Sequence, residues 1–296
     1  DDLRESLVYG SWGEQALIAE YQSLDAGALE AYIDAFWSQA TAEVLLYGNY
    51  QKPMVAEVYE RLETLLPEGQ ANAMPARQVT RLQAGDNLLY AVDVPHDDAV
   101  VAWYLQGAGD SLEDRAATAL TAQVMKSGFF QQLRTEQQLG YIVSAFAWPQ
   151  LDVPGVVMLV QSPNTSAVGI TDSMEAFMQR LLPDTDADQF ERHRSALAGE
   201  IRRPDKNLWE RAEYYWRSIS KEQFEFDGRE LLAGAVDEVS FEAWQQYYRE
   251  TFLTDRHSLQ VITPGAAAEF PELGQRRFDS AGEIKAQQGV YQVPRS

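Results

Sequence analysis

One pattern in this chain restricts its folds more than composition does: an amphipathic helix, then a short apolar strand, then a glycine turn, present twice. In the first copy Asp25 caps a helix whose face carries Ala28, Leu29, Tyr32, Ile33, Phe36 and Trp37. Glu43 to Tyr47 then read as a strand that stops at Gly48-Asn49. In the second, Ser240 caps a helix bearing Trp244, Tyr248 and Phe252, followed by a strand from Ser258 to Ile262 and a Pro264-Gly265 turn. Such a unit cannot bury its apolar stripe alone, so each copy is expected to close a layered domain of helices on a sheet. On that reading residues 79–265 hold one complete domain. Residues 1–66 are the closing portion of an earlier copy whose opening strands are missing.

The intervening sequence supplies the remaining elements. A helix with Pro53 in its first turn runs through Val55, Val58, Leu62 and Leu65 to Pro67, and residues 67–78 read as a linker. Asn87 to Val94 and Val100 to Gln106 are β-prone, and the turn cluster Pro95-His96-Asp97-Asp98 between them predicts a hairpin. Ser111 caps a helix through Met125 that stops at Gly128, with a second short helix through Phe129, Phe130 and Leu133. Tyr141 to Trp148 and Val156 to Ser162, divided by Pro149, Pro154 and Gly155, predict a second hairpin. Helical patterns follow from Asn164. Thr185 and Asp188 form a capping-box-like start to a helix ending at Ile201, and Trp209 to Ser218 continue after Pro204. The boundaries are therefore 1–75 for the partial domain and linker, 76–266 for the complete domain and 267–296 for a tail. With Gly274, Gly282, Gly289 and Pro294 and little periodicity, that tail is expected to wrap a neighbouring domain or stay mobile.

Charge removes several partners. With 24 Lys and Arg against 45 Asp and Glu, the net charge is −21, and Lys occurs only at positions 52, 126, 206, 221 and 285. Nucleic acid and anionic membrane are thus not expected partners, since phosphate binding depends on clustered cations. No apolar run approaches the roughly 20 residues of a spanning helix, and Asp1-Asp2-Leu3-Arg4-Glu5 lacks the order of a signal peptide. Zero cysteines exclude disulfides, thiolate zinc sites and a cysteine nucleophile. His96, His193 and His257 lie far apart, and none is spaced for a helical zinc site. Asp184, Asp186 and Asp188 alternate like a calcium loop, but Gln189 stands where glycine and Ser195 where glutamate are required, so a helix start is expected.

The run Phe129-Phe130-Gln131-Gln132-Leu133-Arg134-Thr135-Glu136-Gln137-Gln138-Leu139-Gly140-Tyr141-Ile142-Val143 resembles a signature of the C-terminal half of the insulysin and pitrilysin metalloendopeptidases, peptidase family M16. Further resemblances run in family order: Val160-Gln161-Ser162, Arg202-Arg203-Pro204-Asp205-Lys206-Asn207, Tyr214-Tyr215-Trp216 and Gln223-Phe224-Glu225-Phe226-Asp227, with Leu45-Leu46-Tyr47-Gly48-Asn49 similar to a strand end of the third domain. They cover about residues 20–265. The resemblance implies an α+β fold with a mostly antiparallel sheet flanked by helices, the fold shared by LuxS and the M16 peptidases. Two halves of two such domains enclose a peptide chamber, and residues 76–266 correspond to the fourth domain.

In that family zinc sits on an H-x-x-E-H helix of the N-terminal half, which this chain lacks. The resemblance therefore implies the non-zinc half of a zinc endopeptidase. Such a half is inactive alone, acts on peptides or small unfolded proteins with a zinc-bearing N-terminal half as its partner, and lies in the periplasm. It also implies that Arg134 and Tyr141 reach toward the peptide near the zinc. A phenol aimed at the scissile carbonyl stabilises the developing oxyanion, and a guanidinium fork holds substrate carbonyls or a terminal carboxylate. On spacing alone, Arg134 merely neutralises a helix C-terminus and Tyr141 begins a strand. The Tyr214-Tyr215-Trp216 cluster suits a chamber wall or a core, and the core has precedence. A non-catalytic scaffold or peptide-binding subunit of the same fold is the alternative to the half-enzyme, and a binding domain with a coincidental motif is a third reading.

Overall fold

The computed structural model describes residues 1–66, 76–267, 270 and 276–293. In chain order its elements are α1 (Asp2–Leu7), α2 (Glu14–Tyr21), α3 (Ala26–Trp37), α4 (Lys52–Glu63), β1 (Arg77–Arg81), β2 (Asn87–Ala91), β3 (Ala99–Gln106) and α5 (Leu112–Phe129), which runs on as a π-helical turn over Phe130–Glu136. There follow β4 (Ile142–Ala147), β5 (Gly155–Ser162), α6 (Ala167–Asp184), α7 (Ala187–Ile201), α8 (Leu208–Ile219), α9 (Gly228–Glu238) and α10 (Phe241–Tyr248), then β6 (Ser258–Thr263), β7 (Arg276–Phe278), α11 (Ala281–Gln287) and β8 (Gly289–Val293). They divide into two compact units. The larger comprises residues 1–11, 78–203 and 227–293; the smaller comprises residues 12–77, 204–226 and 294–296.

The larger unit is α+β. Its six-stranded sheet has the order β4-β5-β3-β6-β2-β7. The pairs β4–β5, β5–β3 and β3–β6 are antiparallel, while β2 runs parallel to both β6 and β7. Alternation along each strand splits the side chains between two cores. Val101, Trp103 and Leu105 of β3 face one way and pack with Met158, Val160, Leu120, Phe129, Met174, Phe177, Trp244 and Tyr248. Tyr104 and Val157 face the other way, against Leu3, Leu7, Leu88, Leu259, Phe278 and Ile284. Two polar groups inside the first core are paired: Trp244 Nε1 donates to Thr121 Oγ1 at 3.1 Å and the Tyr248 hydroxyl to the Met178 carbonyl at 2.9 Å.

Several expectations are met locally. Asp25, Ser111 and Ser240 each cap their helix by accepting from the backbone N–H three residues on, and β4–β5 form the expected hairpin. Others are corrected. The expected hairpin between β2 and β3 does not form, because β6 lies between them and hydrogen-bonds to both. A strand whose residues are buried on both faces, as Ser258–Ile262 are, is more stable in the middle of a sheet than at an edge. Gly128 does not stop α5; it lies within the helix, beside the Phe177 ring. The capping box opening α7 is formed by Asp186 and Gln189, one residue beyond the pair read from sequence. The segment after residue 266 is not a separate tail: Arg276–Phe278 joins the sheet beside β2, and β8 pairs with β1. Residues 1–11 pack with the larger unit through α1 against α11 and the Val8–Val79 bridge, and not with residues 12–66 as read from sequence. The linker read at 67–78 lies mostly outside the described residues.

In the smaller unit, α3 and α4 bury no residue at all. Leu29, Tyr32, Phe36 and Trp37 are each more than half exposed. Glu43–Tyr47, expected to be a strand, pairs with no described strand, because a ladder needs a neighbour to share its hydrogen bonds. Tyr47 instead meets the Tyr215 ring edge-on at 5.3 Å. Tyr215 also contacts Phe226 at 5.1 Å and lies beneath the Arg211 guanidinium at 5.0 Å. The aromatic cluster of α8 is therefore packing for this unit, with Trp216 left on the wall of a groove shared with Trp209, Val44 and Leu45.

Candidate functional site

Phe129 and Leu133 are fully buried, and Phe129 meets Phe177 edge-on at 5.2 Å, which anchors the end of α5 in the core. Beyond it the helix widens: the Gln137 N–H bonds to the Gln132 carbonyl five residues back. Such π-turns recur at functional sites. Gln138 then takes φ +54°, the left-handed conformation that ends helices, and the Leu139 N–H closes on the Leu133 carbonyl six residues back at 3.0 Å. Leu139 is buried as the apolar contact that accompanies such an ending. Gly140 lies directly on β5, where a Cβ would collide with the Gln161 carbonyl oxygen, so only glycine fits. The chain is thereby pinned, and Tyr141 emerges 57% exposed at the head of β4.

The Tyr141 hydroxyl donates to Asp98 Oδ2 at 3.2 Å, and Gln161 Nε2 donates to the same oxygen at 3.0 Å. Asp98 is held in turn, its backbone N–H donating to His96 Nδ1 at 3.0 Å. Its turn is packed against the end of β6, where the Ala266 N–H bonds to the Asp97 carbonyl at 3.0 Å. Gly265, at φ +66°, approaches that turn so closely that a Cβ would lie 2.7 Å from both the Asp97 oxygen and the Ala99 nitrogen. The phenol pKa is raised, by partial loss of water at the hydroxyl and by the hydrogen bond to Asp98 with its negative charge. Tyr141 is thus a neutral donor.

Arg134 lies on the π-turn, half-buried, and makes no side-chain hydrogen bond or ion pair among the described residues. The structure therefore joins Tyr141 to Asp98, Gln161 and His96 and leaves Arg134 uncommitted. Gln161 had a signal in the Val160-Gln161-Ser162 match. Asp98 had only that of a turn residue. His193 is partly buried on α7 and His257 precedes β6; burial lowers the pKa of both, and the adjacent Arg192 lowers that of His193 further. Asp184 pairs with Arg180 at 3.1 Å and Asp186 caps α7. Among the described residues, no group of three or more His, Cys, Asp or Glu is placed to hold a metal ion, so a zinc ion does not fit them. No described helix is long and apolar enough to cross a membrane.

The chain is similar to several known proteins. The family model described as PQQ synthase PqqF-like, C-terminal lobe domain 4, matches residues 120–216, which include Arg134 and Tyr141. Insulin-degrading enzyme of Drosophila melanogaster is 23% identical over 268 residues, 87% of this chain and 27% of that protein. The human insulin-degrading enzyme is 25% identical over 274 residues, 88% of this chain and 27% of that protein. Among solved structures, pitrilysin superposes with a TM-score of 0.86 at 18% identity, covering 97% of this chain and 31% of pitrilysin. A structure titled as the inactive domain of an M16 peptidase from Pseudomonas fluorescens superposes with a TM-score of 0.54 at 14% identity, covering 76% of this chain and 53% of that one. The chain thus spans under a third of the length of the curated relatives it matches and of pitrilysin.

Proposed function

We propose that this chain, a relative of the C-terminal part of the M16 peptidases, is the non-zinc half of a zinc endopeptidase that encloses and cleaves peptides or small unfolded proteins. The observation that carries the reading is the pinned Tyr141: a neutral phenol, exposed at the head of β4, on a backbone that Gly140 locks to β5. Peptide attack places negative charge on the scissile carbonyl oxygen, and a donor held beforehand stabilises that charge more than the ground state. Tyr141 supplies that donor by turning from Asp98 to the substrate. Arg134, with no partner among the described residues, supplies a permanent charge for peptide carbonyls or a terminal carboxylate and positions rather than reacts.

The metal that activates water belongs, on this reading, to a zinc-bearing N-terminal half of the same protein. Nucleic acid and membrane are not its partners, and the periplasm is its compartment by family likeness. Residues 12–75 belong to the third domain, so the bare faces of α3 and α4 are covered by segments outside this chain. The likeness to an inactive M16 domain favours a second reading, in which the fold is kept as a scaffold or peptide-binding subunit. Two measurements separate them. An H-x-x-E-H with a distal glutamate in the encoded protein, together with a rate loss for Tyr141→Phe in that protein, supports the half-enzyme. A longer protein without the motif, or with wild-type kinetics after the substitution, supports the scaffold.

A further inference from the structure

The two edges of the six-stranded sheet are treated differently. At one, β7 carries Arg276 and Arg277 within its three described residues, the charged edge by which proteins discourage further strand pairing. At the other, β4 reads Ile-Val-Ser-Ala-Phe-Ala, six residues with no charge and no proline. The Trp148 N–H bonds to the Gly155 carbonyl at 2.7 Å, and with the β4–β5 register this makes Ile142, Ser144 and Phe146 the residues that bond to β5. The N–H and C=O groups of Val143, Ala145 and Ala147 therefore point outward, and no backbone group of the described residues pairs with them.

Beside that edge runs a groove of about 740 Å³ between β4 and the end of α5, lined by Lys126, Ser127, Phe130, Gln131, Phe146 and His193. Phe130 is 50% exposed and Phe146 36%. An unguarded strand edge flanked by a helix, with an apolar trough between them, recognises an extended chain: backbone groups supply affinity and alternate side chains enter the trough. We infer that an extended peptide adds to β4 as a seventh strand, its alternate apolar side chains lying against Phe130. Because β4 begins at the residue after Tyr141, a peptide held there continues past the phenol. The inference rests on the peptide reading above but uses neither Tyr141 nor Arg134.

The test is binding of a fluorescein-labelled peptide of alternating valine and threonine to this chain, read by anisotropy, beside two versions N-methylated on alternate residues in the two frames. Strand addition predicts that methylation in one frame weakens binding by about tenfold or more while the other frame binds as the parent does, since only one frame carries the N–H groups that bond to β4. Phe130→Glu should weaken the parent peptide similarly without lowering the melting temperature. Equal affinities in both frames, no binding, or a dimer of this chain that the peptide cannot dissociate would overturn it. Binding can fail here while the Tyr141→Phe rate loss in the longer protein stands, so the two readings fail separately.

Discussion

Tyr141 and Asp98, 43 residues apart in sequence, are joined by a 3.2 Å hydrogen bond from the phenol to a carboxylate oxygen that Gln161 also holds. Partial loss of water, with the hydrogen bond to Asp98 and its charge, keeps the phenol protonated to higher pH than usual. A raised folded-state pKa means that this contact favours folding below the ordinary phenol range and loses its contribution as pH rises through the raised value. Asp98→Asn keeps an acceptor but removes the charge, so the Tyr141 pKa should fall. Ultraviolet difference titration of each protein against its Tyr141→Phe counterpart reads that shift; an unchanged titration would show that Asp98 does not tune the phenol.

In the longer protein, Tyr141→Phe should lower kcat with little change in KM. Removing one oxyanion donor costs about 2.7 to 4 kcal/mol, or roughly a hundred- to a thousandfold in rate. Arg134→Ala should raise KM as well, because its charge meets the peptide before chemistry begins. Steady-state kinetics beside thermal melts decide the matter: a rate loss matched by loss of folded protein would make both residues structural.

Gly140→Ala should destabilise the larger unit by about 1 to 3 kcal/mol, the range for a forced contact in a packed site. The new methyl meets the backbone of β5 at Gln161, which cannot swing aside as a side chain would. Denaturant unfolding measures the loss. A variant as stable as the parent would show that the turn relaxes freely and does not pin Tyr141.

Glu175 and Arg256 form a two-bond ion pair at 2.8 and 3.0 Å, with the guanidinium 5.0 Å from the Trp103 ring centre. Burial alone would raise the Glu175 pKa, but the Arg256 and Gln179 hydrogen bonds and the Arg256 charge hold it below the ordinary range. Its contribution is therefore present above the unfolded carboxylate pKa and is lost as pH falls through the depressed value. Arg256→Ala should destabilise by about 1 to 3 kcal/mol at neutral pH, since it leaves a half-buried charge alone. The loss should shrink in acid; a pH-independent difference would contradict this account.

The amides of α3 should exchange with solvent far faster than those of α5 in this chain. The stripe of Leu29, Tyr32, Phe36 and Trp37 stays more than half exposed among the described residues, and packing rather than propensity stabilises most protein helices. Hydrogen exchange by mass spectrometry on this chain and on the longer protein should show α3 protected only in the latter. Equal protection in both would mean that the helix needs no further cover.

Local pattern was enough to reveal the helix caps at Asp25, Ser111 and Ser240, the β4–β5 hairpin, the buried stripe of Trp244, Tyr248 and Phe252, and the Leu139-Gly140-Tyr141 turn. Each depends on residues a few positions apart, whose spacing records which side of the backbone they occupy. The insertion of β6 between β2 and β3, the partner of Tyr141, and the unguarded edge of β4 could not be read in that way. Strand order depends on which pairings bury the most apolar surface across long loops, and that choice leaves little trace in periodicity. Asp98 looks like any turn residue until β6 and Gly265 seat its turn beside β5; only then do its carboxylate, Gln161 and the Tyr141 phenol share one oxygen.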